Sequence, residues 1–142
     1  METPESRTGY SAIHPLHAVL LAGTVPLFLG ALFSDLAYFQ TYQIQWKNFA
    51  SWLIPGGLVF AGLALLWTVI ELLRADLRGR RPYTYFLVLL GAWILGFINA
   101  LVHAKDAWAS MPLALVLSIL VAALVIAATA LGFSTLGTRG IK

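Results

Sequence analysis

The chain has 142 residues, 60% hydrophobic and 11% charged, with a mean hydropathy of +0.84 and a net charge of +3. A soluble domain carries about 25% charged residues; so little charge cannot cover a soluble globule, and lipid is the expected solvent. The absence of cysteine removes disulfides, thiolate iron–sulfur ligation and a cysteine nucleophile, and the small positive charge, gathered mostly in one loop, calls for no nucleic-acid partner.

Residues 1–12 are polar and of mixed charge and read as a flexible tail. They lack the basic n-region of a secretory signal, and no small-x-small cleavage site follows, so the first helix is expected to stay in the mature protein. The domain is expected over 13–133, with spans at about 14–36, 49–74, 82–104 and 113–133, followed by a tail at 134–142. Each span exceeds the roughly 20 residues that cross a hydrocarbon core of about 30 Å. The expected class is all-α: an integral membrane four-helix bundle.

The first span opens with Pro15, whose missing N–H costs nothing at a helix start. Pro26 should kink it, Gly23 and Gly30 leave room for a partner helix, and Asp35 closes it. Tyr38 to Phe49 is crowded with aromatic residues and reads as a short amphipathic segment on the membrane surface. In the second span Pro55-Gly56-Gly57 should break or kink the helix, and Glu71 precedes Arg74 by three residues, as a same-face ion pair would. A tight basic turn follows, with Arg78, Arg80 and Arg81 expected to set topology and to favour anionic lipid.

The third span carries Asn99 and His103, four apart and so on one helix face. A stripe of small residues, Ala92, Gly96, Ala100 and Ala104, is expected to let a neighbouring backbone approach closely, so that Gly96→Leu should disrupt packing. Lys105 to Pro112 form a turn in which Ser110 is placed to cap the last helix. The fourth span is the most uniformly apolar, with small pairs at Ala123/Ala127 and Ala128/Gly132. Arg7, Arg74, Arg78, Arg80, Arg81, Arg139 and Lys142 fall on one side of a four-span topology, against Lys47 and Lys105 on the other. The positive-inside rule then places both termini in the cytoplasm and, in a bacterium, the short loops in the periplasm.

Three stretches carry a resemblance: Ile13-His14-Pro15-Leu16-His17-Ala18, the run from Phe97 through Asn99, His103 and Asp106 to Trp108, and Leu117-Ser118. Together they resemble domain of unknown function family 2231, small bacterial membrane proteins with four spans. Some members occur beside, or fused to, redox modules of the periplasm or membrane. The resemblance thus implies inner-membrane localisation and an association with a respiratory or periplasmic redox system.

Two polar clusters stand out, since ionisable groups in spans are costly and often functional. The outer one is Asp35, Asn99, His103 and Asp106: a ligand pocket, a proton relay or a haem axial-ligand site, or else a set of interhelical hydrogen bonds. The inner one is His14, His17, Glu71 and Arg74. It reads as a weak two-histidine metal motif or, more simply, a capped helix start beside an ion pair, and no metal site is assigned. The leading expectation for function is a non-enzymatic membrane subunit or anchor, partnered by the bilayer and by a periplasmic dehydrogenase, a cytochrome or another redox protein. The alternatives are a b-type cytochrome passing electrons to quinone, with haem b held by His103 from two protomers of a homo-oligomer or by His103 and a non-histidine second ligand, and a small oligomeric transporter or channel.

Overall fold

The computed structural model describes residues 13–74 and 80–137. Among the described residues five helices follow in order: α1 (Pro15–Thr41), α2 (Ile44–Leu73), α3 (Arg80–His103), the single turn α4 (Ala107–Ser110) and α5 (Leu113–Gly137). Four of them are long and apolar enough to cross a membrane. α1 packs on α2 and α5, and α3 packs on the same two helices. The long helices therefore form a ring in which every neighbour is antiparallel, with α1 and α3 parallel across the diagonal.

The buried positions explain why these sequences associate. A central set of them runs on α1 through His17, Leu21, Thr24, Phe28, Ala31, Asp35 and Tyr38, and on α3 through Tyr85, Leu89, Ala92, Gly96, Asn99 and His103, with Ser34 and Val102 buried beside it. Both sets alternate steps of four and three, the 3.5-residue repeat of helices that interlock side chains along a shared seam. α2 repeats it through Ala50, Ile54, Gly57, Ala61, Ala64 and Thr68, and α5 through Ala114, Ser118, Val121, Val125, Ala128 and Gly132. The seam mixes small and polar residues with a few large ones, Leu21, Phe28, Ile54, Tyr85 and Leu89 among them. Leu, Ile, Phe and Trp abound on the outside, with Trp52 and Trp108 each 81% exposed. Lipid tails are as apolar as leucine, so the advantage of turning a residue inward comes from close packing and hydrogen bonding.

Several expectations change. α1 does not close at Asp35 but continues to Thr41, and the turn to α2 is only Tyr42 and Gln43, with Tyr42 in the left-handed region at φ 55°. The aromatic segment 38–49 is therefore the end of one helix and the start of the next, since Tyr42 supplies the reversal that would otherwise need a loop. α1 is continuous through Pro26, and of the break or kink expected at Pro55-Gly56-Gly57 a break does not occur, since α2 runs through it. Gly23 faces the Phe60 ring and Gly30 faces Leu53, so both glycines seat α2. Of the small pairs on α5, Ala128 and Gly132 are buried while Ala123 and Ala127 face outward. Ser110 does not cap α5: its hydroxyl donates to the Ala107 carbonyl at 2.8 Å.

Candidate functional site

Asp35 on α1 and His103 on α3 are both buried, and they meet across the diagonal of the bundle. His103 Nε2 lies 2.7 Å from Asp35 Oδ1, and its Nδ1 lies 2.9 Å from the Asn99 carbonyl. Ser118, from the second turn of α5, donates to Asp35 Oδ2 and accepts from Asn99 Nδ2 at 2.8 Å. Three helices thus contribute to one network. Asn99 Oδ1 is buried without a partner.

The bonding directions constrain its charge. A carbonyl oxygen only accepts, so His103 Nδ1 must carry a hydrogen. The Nε2–Oδ1 contact then holds one further proton, on either side. With it on nitrogen the pair is imidazolium and carboxylate; with it on oxygen both groups are neutral. Either way the network has no net charge, the condition for placing ionisable groups in a low-dielectric interior.

The depth of this network follows from helix lengths. α3 ends at His103, whereas α1 continues six residues beyond Asp35, about 9 Å at 1.5 Å per residue. The α1–α2 tip therefore stands above the network, and α4 folds against it. Tyr42 stacks on Trp108 with ring centroids 5.6 Å apart, and Lys47 Nζ donates to the Lys105 carbonyl at 2.7 Å. A groove of about 280 Å³ between tip and turn is lined by Tyr38, Phe39, Tyr42, Trp108 and Met111.

At the other end, α1 and α3 meet a second time. His17 Nε2 lies 2.9 Å from Tyr85 Oη, with Thr68 and Glu71 of α2 beside the phenol. Both diagonal contacts join residues 68 positions apart. Eighteen residues, five full turns or about 27 Å, separate the two levels on each helix. The same inner faces of α1 and α3 are therefore pinned at both ends, with Leu21, Phe28 and Leu89 filling the interval.

Of the outer cluster expected from sequence, Asp35, Asn99 and His103 come together, while Asp106 is exposed beyond the end of α3 and makes no side-chain cap bond at the start of α4. Both ring nitrogens of His103 are engaged within the protein, so neither offers a free lone pair to a haem iron in this arrangement. Ser118 joins the site without having been singled out as a site residue; its signal was a lone hydroxyl on the inner seam of the most apolar helix. Of the inner cluster, His17 is buried and Glu71 approaches it, but His14 precedes α1 and accepts from Leu16 N–H through Nδ1 at 3.2 Å. Glu71 does not pair with Arg74. Its Oε1 accepts from Trp67 Nε1 at 2.8 Å, and the exposed Arg74 ends α2. Arg78 lies outside the described residues, as do the side chains of Arg80 and Arg81. Of the small-residue stripe, Ala92 and Gly96 are buried, Ala100 is half-buried and Ala104 is exposed.

Ser118→Ala is expected to destabilise the bundle by about 1–2 kcal/mol, since it leaves a carboxyl oxygen and an amide N–H buried without partners. Thermal unfolding in detergent measures this, and a midpoint equal to that of the unaltered chain would show that Ser118 contributes nothing.

The chain was also compared with known proteins. The profile of a family described as "Predicted membrane protein (DUF2231)" matches residues 13–141. No curated protein and no solved structure matches. The match takes in all four spans and both polar levels, and the chain belongs to the DUF2231 family of predicted membrane proteins.

Proposed function

We propose that this protein is a non-enzymatic subunit or anchor of the bacterial inner membrane, with both termini in the cytoplasm, serving a periplasmic or respiratory redox system. The observation that carries the anchor reading is the direction of its polar groups. Asp35, His103, Ser118 and Asn99 bond one another inside the spans, which supports a structural use of residues that a transporter or enzyme would present to a substrate. The outward surface is apolar and aromatic, with Tyr42, Trp46 and Trp108 exposed at the α1–α2 tip and α4. Such a rim suits a headgroup-level belt or a membrane-bound partner. The redox association rests on the family resemblance, and the orientation on the arginine bias.

Two measurements test this reading. The cysteine-free sequence permits single-cysteine labelling in intact cells. Lys105→Cys is expected to react with an impermeant reagent from outside, and Arg78→Cys only after permeabilisation; the reverse pattern overturns the orientation. Mild-detergent extraction of the tagged chain from its native membranes is expected to recover a redox protein in constant ratio, lost on Trp108→Ser. Recovery of the chain alone, with solute flux in reconstituted vesicles, overturns the anchor reading.

A further inference from the structure

Tyr38 closes the inner seam of α1 and is 3% exposed. Its ring lies edge-on to Tyr42, with centroids 6.1 Å apart. Its hydroxyl has no hydrogen-bond partner among the described residues, yet it is not one of the enclosed unpartnered atoms, which are His17 Nδ1, Asn99 Oδ1 and Thr129 Oγ1. The little surface that Tyr38 keeps therefore includes the hydroxyl, beside the groove of about 280 Å³ that this residue lines. A buried phenol usually finds an acceptor, and phenylalanine would fill the same seam without needing one.

The groove walls restrict what can supply that acceptor. Seven residues line the groove and none is charged. Seven is far below the roughly 20–30 residues a side of a stable protein interface, so a second copy of the chain does not suit it. A planar ring needs a slot between parallel faces, but the parallel rings here, Tyr42 and Trp108, are stacked on each other with centroids 5.6 Å apart. A flexible apolar molecule meets no such obstacle. Phe39, Tyr42 and Trp108 are exposed on the outer surface, so such a molecule can enter from the bilayer.

One edge of the groove is electropositive. α5 begins at Leu113, directly after the groove residue Pro112. Its first bond runs from Val116 N–H to the Pro112 carbonyl at 3.2 Å. The N–H groups of 113–115 are therefore not used by the helix itself and form the positive end of its dipole. Asp35 bonds Ser118, and α1 and α5 are antiparallel. Tyr38, one turn past Asp35, is thus level with Ala114, one turn before Ser118. A phenol that needs an uncharged acceptor and a helix start that favours an anion stand at one level beside an apolar surface. The ester, phosphate and chains of a phospholipid match those three features.

We propose that the groove holds one phospholipid of the surrounding bilayer. Its glycerol esters and first chain carbons lie in the groove, one ester carbonyl accepts from Tyr38 Oη, and its phosphate stands at the N-terminus of α5. The acyl chains continue over the apolar outer surface. No covalent bond is made or broken.

Mass spectrometry of the intact full chain, released from nanodiscs and washed with detergent, counts the lipid it retains. A diester phospholipid is expected to remain at one per chain. The matching diether phospholipid lacks the carbonyls and is expected to bind about fivefold more weakly, the worth of one hydrogen bond. Diacylglycerol, without a phosphate, is also expected to bind more weakly. Tyr38→Phe, a near-isosteric change, is expected to weaken the diester lipid by the same fivefold and to leave the diether lipid unaffected. Ala107→Phe fills the groove and is expected to release both. Equal retention of diester and diether lipid by the unaltered chain, or of diacylglycerol and phospholipid, overturns the proposal. So does a Tyr38→Phe chain that still distinguishes the two linkages, a bound lipid that survives Ala107→Phe, or recovery of an isoprenoid quinone in the lipid's place from native membranes.

Discussion

His103→Leu is expected to destabilise the bundle by about 3 kcal/mol, and Asp35→Leu combined with His103→Leu by distinctly less. Removing one member of a buried pair leaves the other without its partner, a loss of about 3–5 kcal/mol in water-soluble proteins. The lower end applies here because a chain unfolded within lipid also finds partners for its polar groups. In the single variant Asp35 keeps only the Ser118 hydroxyl. In the double variant the carboxyl is gone, and Ser118 can turn to the carbonyl four residues back, as Ser34, Ser51 and Thr68 do in this chain. Apolar replacement of a whole buried pair is often neutral. Denaturant titration of the four members of the cycle in one detergent measures the coupling. A double variant as unstable as the sum of the singles would mean that Asp35 and His103 do not act as a pair.

The sequence carries the class and the number of spans plainly, because runs of apolar residues as long as a bilayer is thick have few other uses. The identity of the inward face is harder to read, and α3 shows why. Four-residue spacing picks out Ala92, Gly96, Ala100 and Ala104. Each such step turns the helix by about 400°, overshooting by about 40°, so Ala104 points about 120° away from Ala92. It is exposed. Alternating fours and threes instead give Ala92, Gly96, Asn99 and His103, which places the polar pair and the small residues on one seam. Hydropathy cannot reveal that seam, because both faces are apolar; size and the rare hydroxyl or carboxyl reveal it, as Ser118 does on α5. Asp106 stands three residues after His103 and would share its face on a continuing helix, but α3 stops at His103. His14 and His17 have the same spacing, yet Pro15 begins the helix between them, so one becomes a cap and the other a core residue.

Gly57→Ala is expected to lower stability by about 1–3 kcal/mol, the usual cost of an extra carbon in a filled core, although alanine is the better helix former by about 1 kcal/mol. A Cβ at Gly57 would stand 2.7, 2.8 and 3.0 Å from three carbons of the Phe28 ring. That ring is 2% exposed and sits on the central seam of α1. It cannot simply withdraw, because Gly96 of α3 is against it as well, with distances of 3.4 and 3.5 Å to a Cβ built there. Phe28 thus occupies the space that two glycines on two different helices leave open, midway between the two polar levels. Gly91 supplies the control: nothing lies within 4 Å of a Cβ placed there, so Gly91→Ala is expected to be neutral or to stabilise by up to about 1 kcal/mol. Trimming the ring should separate a steric cause from a backbone one. Phe28→Leu lowers the stability of the parent chain by opening a cavity, but in the Gly57→Ala background part of that space is taken by the new methyl, and the two losses should add to less than their sum. Thermal midpoints of the parent, both singles and the double decide it. Strict additivity, or a Gly57→Ala variant as stable as Gly91→Ala, would show that the α1–α2–α3 contact has slack and that the glycine is not required for the ring to fit.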